Sequence, residues 1–200
     1  MLWDLLFRSQ LGLSISFLEE MWARNLGQLF VTPLRPYEWL LSLLAMSVIR
    51  VTIGVVPAAL LAIPLYNYSI FAMGLPLVAF VAVLAAMGWG LGLAICGAIL
   101  RHGMGAESLA WTVIFAIAPL SCVYYPVTTL PGWLQPVCWA LPSTYVFEGM
   151  RAVLFQGDFR TDFFLEAVAL DLVYIAIGAA IFFIAFRDAR HRGALLQMGE

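Results

Sequence analysis

The chain has 200 residues, of which 64% are hydrophobic and 11% are charged, with a formal net charge of −2 and a mean hydropathy of +0.96. Soluble domains carry about 25% charged residues, so this composition predicts an integral membrane protein. All ten basic residues are arginine. Because a P-loop needs a lysine, the chain cannot bind ATP through such a loop. Its slightly negative net charge does not favour a nucleic-acid partner, which would call for a basic surface.

Residues 1–18 are mostly apolar but include Asp4, Arg8 and Gln10. They lack the basic start and the small-residue cleavage site of a signal peptide. The polar residues also make the segment unconvincing as a complete membrane span. We therefore expect it to be the end of a membrane helix whose beginning is absent.

The segment 19–38 carries apolar residues at helical spacing and is expected to be cytoplasmic. They form one stripe of a short helix that ends at Thr32-Pro33, because a residue before proline is pushed out of the helical region. The stripe consists of Trp22, Leu26, Leu29 and Phe30. From the residues alone, the helix either lies on the membrane surface or docks a soluble partner.

Four further stretches are long and apolar enough to cross a bilayer core of about 30 Å. The third is short, and the second is long enough to require a tilt or a bend. They are residues 39–66, 70–100, 109–125 and 163–186. The predicted fold class is all-α: a polytopic membrane helical bundle with four clear spans and one partial span, forming a single domain over residues 1–200.

The arginines predict the orientation of the bundle, since short cytoplasmic loops are enriched in them. With 19–38 inside, six arginines lie in inner loops and the tail, and two lie outside. This arrangement predicts a cytoplasmic C-terminal tail over residues 187–200. It also predicts that residues 126–162 lie on the outer side.

Two sets of small side chains leave alternatives open. Gly88 and Gly92 have a spacing that permits close helix contact, either within the chain or between subunits. The three cysteines are far apart in sequence, which favours apolar packing, with a disulfide between Cys122 and Cys138 on the outer side as the alternative. Cys96 has no such neighbour.

Four prolines divide residues 126–162 into pieces that cannot form one continuous helix. We expect a first short helix capped by Thr129 and containing Trp133, and a second capped by Ser143 and running to Gln156. The tyrosines and tryptophans here suit the headgroup depth of a membrane. The prolines are Pro126, Pro131, Pro136 and Pro142.

Arg50 and Asp171 are predicted at similar depths near the membrane midplane. Unpaired charges there cost several kcal/mol, so Arg50 should face a carboxylate or a water-filled cavity. The candidate partners are Asp171, Asp4 and Glu148. A static pair, a cavity lining and a proton relay all remain open, whereas Glu148 and Arg151 are expected to form a solvated surface pair.

No catalytic centre is predicted. The sequence contains no pair of metal ligands at zinc-like spacing and no Ser/His/Asp arrangement. Carboxylates paired for hydrolysis are also absent.

Two motifs resemble the permease subunits of type-2 ATP-binding cassette (ABC) exporters. The first is NLGQLFVTPLRPYEWLLS at residues 25–42, and the second is YYPVTTLPGWLQPVCWALPSTYVFEGMRAVL at residues 124–154. The second motif is the more specific, with P-x-x-x-L-P-x-W-L followed by E-x-x-R. The resemblance runs from about Leu11 to about Arg190 and is strongest to the bacterial polysaccharide, lipo-oligosaccharide and drug export group.

The resemblance implies two functional regions. A cytoplasmic coupling element would sit in a groove of the ATPase subunit, which favours docking over a surface helix; its residues would be Glu19, Glu20, Trp22, Asn25, Leu26, Leu29, Phe30 and Pro33. A pair of short outer helices would form an external gate. Its residues would be Pro126, Leu130, Pro131, Trp133, Leu134, Pro142, Glu148 and Arg151.

The expected function is therefore that of a permease subunit that exports a hydrophobic or amphiphilic molecule and is not itself an enzyme. ATP and magnesium would bind a partner ABC ATPase subunit, and this chain would hold no cofactor. A second permease copy would complete a homodimer in the lipid of the bacterial cytoplasmic (inner) membrane. The alternatives are an ion-coupled transporter that uses Arg50 and Asp171, a membrane-embedded enzyme and a passive scaffold.

Permeases of the resembled family have six spans, with a cytosolic helix and a complete first span ahead of the region where this sequence begins. We therefore expect a fragment, a shortened gene product or a mis-set start. Any of these would affect assembly.

Overall fold

A computed structural model describes residues 2–23, 35–66 and 74–191, and all structural statements refer to these residues. They contain seven α-helices joined by turns, with short 3₁₀ turns at Met104–Ala106 and Val127–Thr129, and no strand. The helices are α1 (Leu2–Trp22), α2 (Pro36–Tyr66), α3 (Leu75–His102), α4 (Ser108–Leu120), α5 (Gln135–Trp139), α6 (Pro142–Gln156) and α7 (Thr161–His191). The predicted fold class, a helical membrane bundle, is confirmed.

Three of the four predicted clear spans match helices that are long and apolar enough to cross a membrane: Tyr37–Leu65, Leu75–His102 and Thr161–His191. The remaining span, predicted at 109–125, is shorter than expected. Helix α4 has 13 residues and a length of about 20 Å, and it ends at Leu120.

Helix α1 has 21 residues and continues past the boundary expected at residue 18. It packs against α2 and α3 in the interior of the bundle, and its Leu6, Leu13 and Phe17 side chains are fully buried. The polar residues that made this segment a weak candidate span are accommodated in two ways. Asp4 and Arg8 pair with each other on a partly exposed face of the helix, and Gln10 is buried inside the bundle. Tertiary packing, which hydropathy does not report, makes α1 part of the bundle core.

Glycines on α3 allow two helices to approach it closely. A Cβ atom on Gly88 would lie 2.6 Å from the Ser9 Cβ, and one on Gly92 would lie 2.7 Å from Leu13 Cδ2. Because both contacts lie within the chain, the intrachain alternative for these two glycines is the one observed. Lipid tails are as apolar as leucine, so such close packing is a main source of helix association in a membrane.

Helix α7 packs on α3 through another glycine contact, where Gly90 touches Gly178. Further along, Gly97 touches Ile181. Residue numbers rise together along α1, α3 and α7 in these contacts, so the three helices run in the same direction. The bundle therefore has a Leu75 end, where α3 begins, and a His102 end, where α3 finishes.

The buried apolar residues form one large cluster at each end. The cluster nearer the His102 end includes Phe17, Met21, Trp39, Ile99, Phe182 and Phe186. The cluster nearer the Leu75 end includes Leu5, Phe80, Val83, Leu141, Met150 and Ala167. Each end therefore has its own packed core, to which the segment at that end is attached.

Candidate functional site

The predicted outer hairpin, residues 126–162, is broken as its prolines predict, although its elements differ in detail. It contains the 3₁₀ turn Val127–Thr129, the five-residue helix α5 and the longer helix α6. Trp133 and Leu134 come just before α5, so they are not in a first helix. Helix α6 ends at Gln156 as expected, where Gly157 adopts a left-handed conformation that suits a helix end.

The two predicted helix caps are wrong. The Thr129 hydroxyl donates to the Pro126 carbonyl within the 3₁₀ turn. The Ser143 hydroxyl lies 2.8 Å from the Ser121 hydroxyl instead of capping α6. Pro142 occupies the start of α6, where the missing N–H of proline does no harm.

The hairpin lies over the early end of α4. The last carbonyls of a helix have no partner within it, and in a membrane they must be satisfied by other protein groups. The Tyr125 hydroxyl donates to the Pro119 carbonyl, and the Thr144 hydroxyl donates to the Leu120 carbonyl at 3.4 Å. A tyrosine just before the hairpin and a threonine within it thus bind the last carbonyls of a helix that stops short.

Arg151, on α6, binds the irregular backbone that follows α4. Its guanidinium donates to the carbonyls of Cys122, Val123 and Tyr125. Arginine suits this role because its planar guanidinium offers five N–H donors. The turn after α4 is therefore tied to α6 by one side chain.

Glu148 completes this arrangement. Its Oε1 accepts from Arg151 Nη1 at 2.9 Å and from the backbone N–H of Val127 at 2.8 Å. The side chains of Arg151 and Glu148 are only 23% and 18% exposed. The expected solvated surface pair is therefore wrong: the pair is largely buried and joins α6 to both the turn and the 3₁₀ turn of the hairpin. We call Glu148, Arg151 and their backbone partners the hairpin clamp.

Cys122 and Cys138 lie in a small buried cluster beside the clamp, and both are free thiols. Cys122 has a φ of 52°, a left-handed conformation unusual for a residue other than glycine. Both thiols and Cys96 are buried, as apolar packing predicts.

Aromatic side chains occupy two different environments in the hairpin. Trp139, Tyr145 and Phe163 pack against one another, with ring centroids 4.7 to 6.1 Å apart. Trp133 is 76% exposed. The predicted gate residues all lie in the hairpin segment, and two of them, Glu148 and Arg151, form the hairpin clamp. The others are Pro126, Leu130, Pro131, Trp133, Leu134 and Pro142.

The hairpin lies at the Leu75 end of the bundle. A Cβ atom on Gly149 would touch the ring of Phe80, which also contacts Phe159. At the opposite end, Met21 packs in the same cluster as Ile99 and Leu100. The last turn of α1 and the hairpin are therefore at opposite ends.

The predicted coupling segment is only partly described. Glu19, Glu20 and Trp22 belong to the end of α1 and not to a separate short helix. Trp22 is 47% exposed. The remaining predicted coupling residues lie outside the described residues: Asn25, Leu26, Leu29, Phe30 and Pro33.

Arg50 is paired with a carboxylate, but none of the predicted candidates is its partner. Its Nη2 lies 2.6 Å from Glu19 Oε2. Asp4 pairs with Arg8, and Glu148 pairs with Arg151. Sequence reasoning assigned Glu19 to the coupling segment, so it missed this contact between α1 and α2.

Asp171 does not meet Arg50. It is 4% exposed, and neither carboxyl oxygen has a hydrogen-bond partner within the described residues. It is four residues after Ala167 and seven before Gly178, on the face of α7 that packs against α3. The two intramembrane charges are thus in separate environments.

Sequence reasoning also missed an ion pair within α1. Arg8 Nε lies 2.7 Å from Asp4 Oδ2, and the Arg8 guanidinium occupies the space where Gly54 has no side chain. The spacing of Asp4 and Arg8, four residues apart on a helix, was the signal that could have revealed the pair.

A family model for ABC-2 type transporters matches residues 5–155. This match covers α1 to most of α6, including the complete hairpin clamp. The chain belongs to the ABC-2 type transporter family. It is a multi-pass membrane permease, the membrane component of an ABC transporter and not its ATPase, and this role implies pairing with an ABC ATPase subunit. A comparison with curated proteins found no match.

Proposed function

We propose that this ABC-2 permease exports an amphiphilic or hydrophobic molecule across a bacterial cytoplasmic membrane. Two copies form a homodimer, and each copy binds an ATPase subunit that holds ATP and magnesium. The end of α1 and the segment that follows it receive the ATPase on the cytoplasmic side. The hairpin gates the route on the outer side, and the C-terminal tail is cytoplasmic.

The observation that carries this proposal is the placement of two distinct surfaces at opposite ends of one packed bundle. The end of α1 presents an exposed tryptophan, Trp22, and leads directly into the predicted coupling segment. An exposed aromatic side chain beside acidic residues is the kind of anchor that docks in a partner's pocket. The hairpin at the other end consists of short rigid pieces that can shift without unwinding a long helix.

The ion-coupled alternative has less support. It requires Arg50 and Asp171 to work together, yet Arg50 pairs with Glu19 and Asp171 lies on the α3-facing side of α7. A transporter driven by these two residues would need a different arrangement of the helices.

Replacing one exposed tryptophan at each end of the bundle, in separate variants, tests this proposal. Trp22→Asp should abolish co-purification of a lysine-bearing P-loop ATPase with the tagged chain, because the change puts a charge where the proposed ATPase pocket would receive an aromatic side chain. Trp133→Asp is the matched control, since Trp133 is also exposed but lies at the opposite end. It should retain the ATPase at the wild-type ratio, measured by quantitative mass spectrometry of detergent extracts.

Loss of the ATPase from both variants, or from neither, would contradict the assignment of the α1 end as the docking surface. Recovery of the wild-type chain from native membranes without any P-loop protein would contradict the proposed function itself.

A further inference from the structure

Two of the three cysteines meet beside the hairpin clamp. Cys122 lies in the irregular turn after α4, and Cys138 lies in α5. Their thiols are within hydrogen-bonding distance of each other, and both side chains are fully buried with Val127 in one small cluster. Because a disulfide forms only between side chains that already face each other, this contact meets the geometric condition for one. We call Cys122 and Cys138 the thiol pair.

The thiol pair connects parts of the hairpin that the clamp does not connect. The Arg151 guanidinium donates to the Cys122 carbonyl, which ties the turn to α6. The thiol of the same residue contacts Cys138 in α5. Cys122 is therefore the residue at which the turn, α5 and α6 come together.

The thiol pair lies just beneath the surface of the hairpin. Tyr124, two residues after Cys122, is 81% exposed, and Val137, next to Cys138, is 46% exposed. Cys96 is in a different place, in the core cluster nearer the His102 end. The thiol pair and Cys96 are thus in different halves of the bundle.

These two halves face different redox conditions in the proposed function. The hairpin is then on the outer side of the membrane, where the surroundings are oxidising, whereas the cytoplasm keeps thiols reduced. Two thiols in contact on the oxidising side are suited to disulfide formation. Cys96, in the half nearer the cytoplasm, should stay a thiol.

We propose that the thiol pair is a modification site that closes to an intrachain disulfide between Cys122 and Cys138 on the outer side of the membrane. This inference rests on the proposed function for the orientation of the hairpin. The oxidant is a disulfide-bearing thiol oxidoreductase of the outer compartment.

The reaction is a thiol–disulfide exchange in two steps. One thiolate of the pair attacks the disulfide of the oxidant, which forms a mixed disulfide and releases one oxidant thiolate. The second thiolate of the pair then attacks the mixed disulfide and displaces the other oxidant sulfur. In total the pair loses two electrons and two protons, and the disulfide of the oxidant is reduced to a dithiol.

Burial determines when this exchange takes place and what it achieves. Both sulfur atoms are covered in the packed hairpin, so the exchange occurs before the hairpin closes over them. The same burial then shields the bond from reductants. The bond encloses residues 122–138 and stabilises this arm of the hairpin by restricting the unfolded chain.

Mass spectrometry of the wild-type chain tests the proposal. No basic residue lies between Arg101 and Arg151, so trypsin releases both thiols in one peptide, whereas Cys96 lies in the peptide before it. Membranes are denatured in N-ethylmaleimide, which caps every free thiol, and then digested. We expect the peptide of the thiol pair to carry no maleimide and to be two hydrogen atoms lighter than its reduced form. The Cys96 peptide should carry one maleimide.

Two variants and one rate check the assignment. Cys138→Ser should leave one maleimide on Cys122, and Cys96→Ser, the matched control, should leave the bond in place. In the wild-type chain, the bond should be reduced at least about tenfold more slowly in mild detergent than in sodium dodecyl sulfate, because both sulfur atoms are buried in the folded hairpin. Cells that lack the outer-compartment oxidant should yield a peptide with two maleimides.

Three outcomes would overturn the proposal: two maleimides on the wild-type peptide from cells with an active oxidant, a Cys122 thiol that stays uncapped in Cys138→Ser, or equal reduction rates in the two detergents. Failure of the proposed function is a separate observation. A permease that co-purifies with its ATPase but keeps both thiols free would refute only the disulfide. A permease with the disulfide but without any P-loop partner would refute only the proposed function.

Discussion

Arg151 is the residue on which the hairpin most clearly depends. It joins three backbone carbonyls and one carboxylate, and hydrogen bonds to charged groups contribute about 1.5–3 kcal/mol each. These carbonyls belong to a turn that cannot satisfy them by helix formation. The clamp therefore holds together a segment with little regular backbone structure of its own.

Replacing Arg151 by Gln should lower the free energy of unfolding by about 2–3 kcal/mol, because Glu148 and the carbonyls of the turn would lose their donor. Arg151→Lys should recover only part of this loss, since an ammonium group lacks the planar fork. Thermal unfolding in detergent measures both variants. Arg160→Gln is the control, because its ion pair with Asp162 is exposed and should change the midpoint little. Equal shifts for Arg151→Gln and Arg160→Gln would show that the clamp does not hold the hairpin.

The sequence revealed local pairs but not their surroundings. The E-x-x-R spacing predicts that Glu148 and Arg151 share a helix face, yet their burial depends on a turn 26 to 29 residues earlier in the chain. Glu19 and Arg50 are 31 residues apart. The predicted depth of Arg50 in the membrane indicated that a carboxylate lies close to it. Which carboxylate pairs with Arg50 depends on tertiary packing, which the sequence does not show.

At the level of helices, the hydropathy pattern predicted the long spans correctly, but it placed the end of α4 at residue 125 instead of Leu120. Residues 121–125 are mostly apolar, so a hydropathy pattern runs on through them. The helix stops because Cys122 turns into a left-handed conformation and the hairpin clamp takes over the carbonyls that follow. In the same way, α1 became a core helix through contacts with α3 that its average hydropathy does not show.

The contact between α3 and α7 should be sensitive to a single methyl group. A Cβ atom on Gly178 would overlap the Gly90 carbonyl oxygen, which is backbone and cannot rotate away. Gly178→Ala should therefore separate the helices and destabilise the bundle by about 3 kcal/mol, the upper range for overpacking. Gly132→Ala is the control, since nothing lies within 4 Å of a Cβ atom there. Unfolding midpoints that are the same for both variants would mean that α3 and α7 do not touch closely.

At the scale of the whole molecule, the bundle links two ends that carry different chemistry. Helices α1, α3 and α7 run in one direction and each contributes side chains to both core clusters, so all three extend from one end of the bundle to the other. The arginine distribution predicts that these two ends face opposite sides of the membrane, and that orientation stays a prediction. The predicted coupling residues after Ala23 are not described, so their role remains a prediction from the family resemblance.

The response of the hairpin to nucleotide tests the central claim most directly. An environment-sensitive fluorophore on Trp133→Cys, in vesicles containing the permease and its ATPase, should change its emission when ATP and magnesium are added on the ATPase side. The further change Trp22→Asp should abolish this response while the label remains in place. A hairpin that ignores ATP and responds instead to an imposed proton gradient would contradict the account.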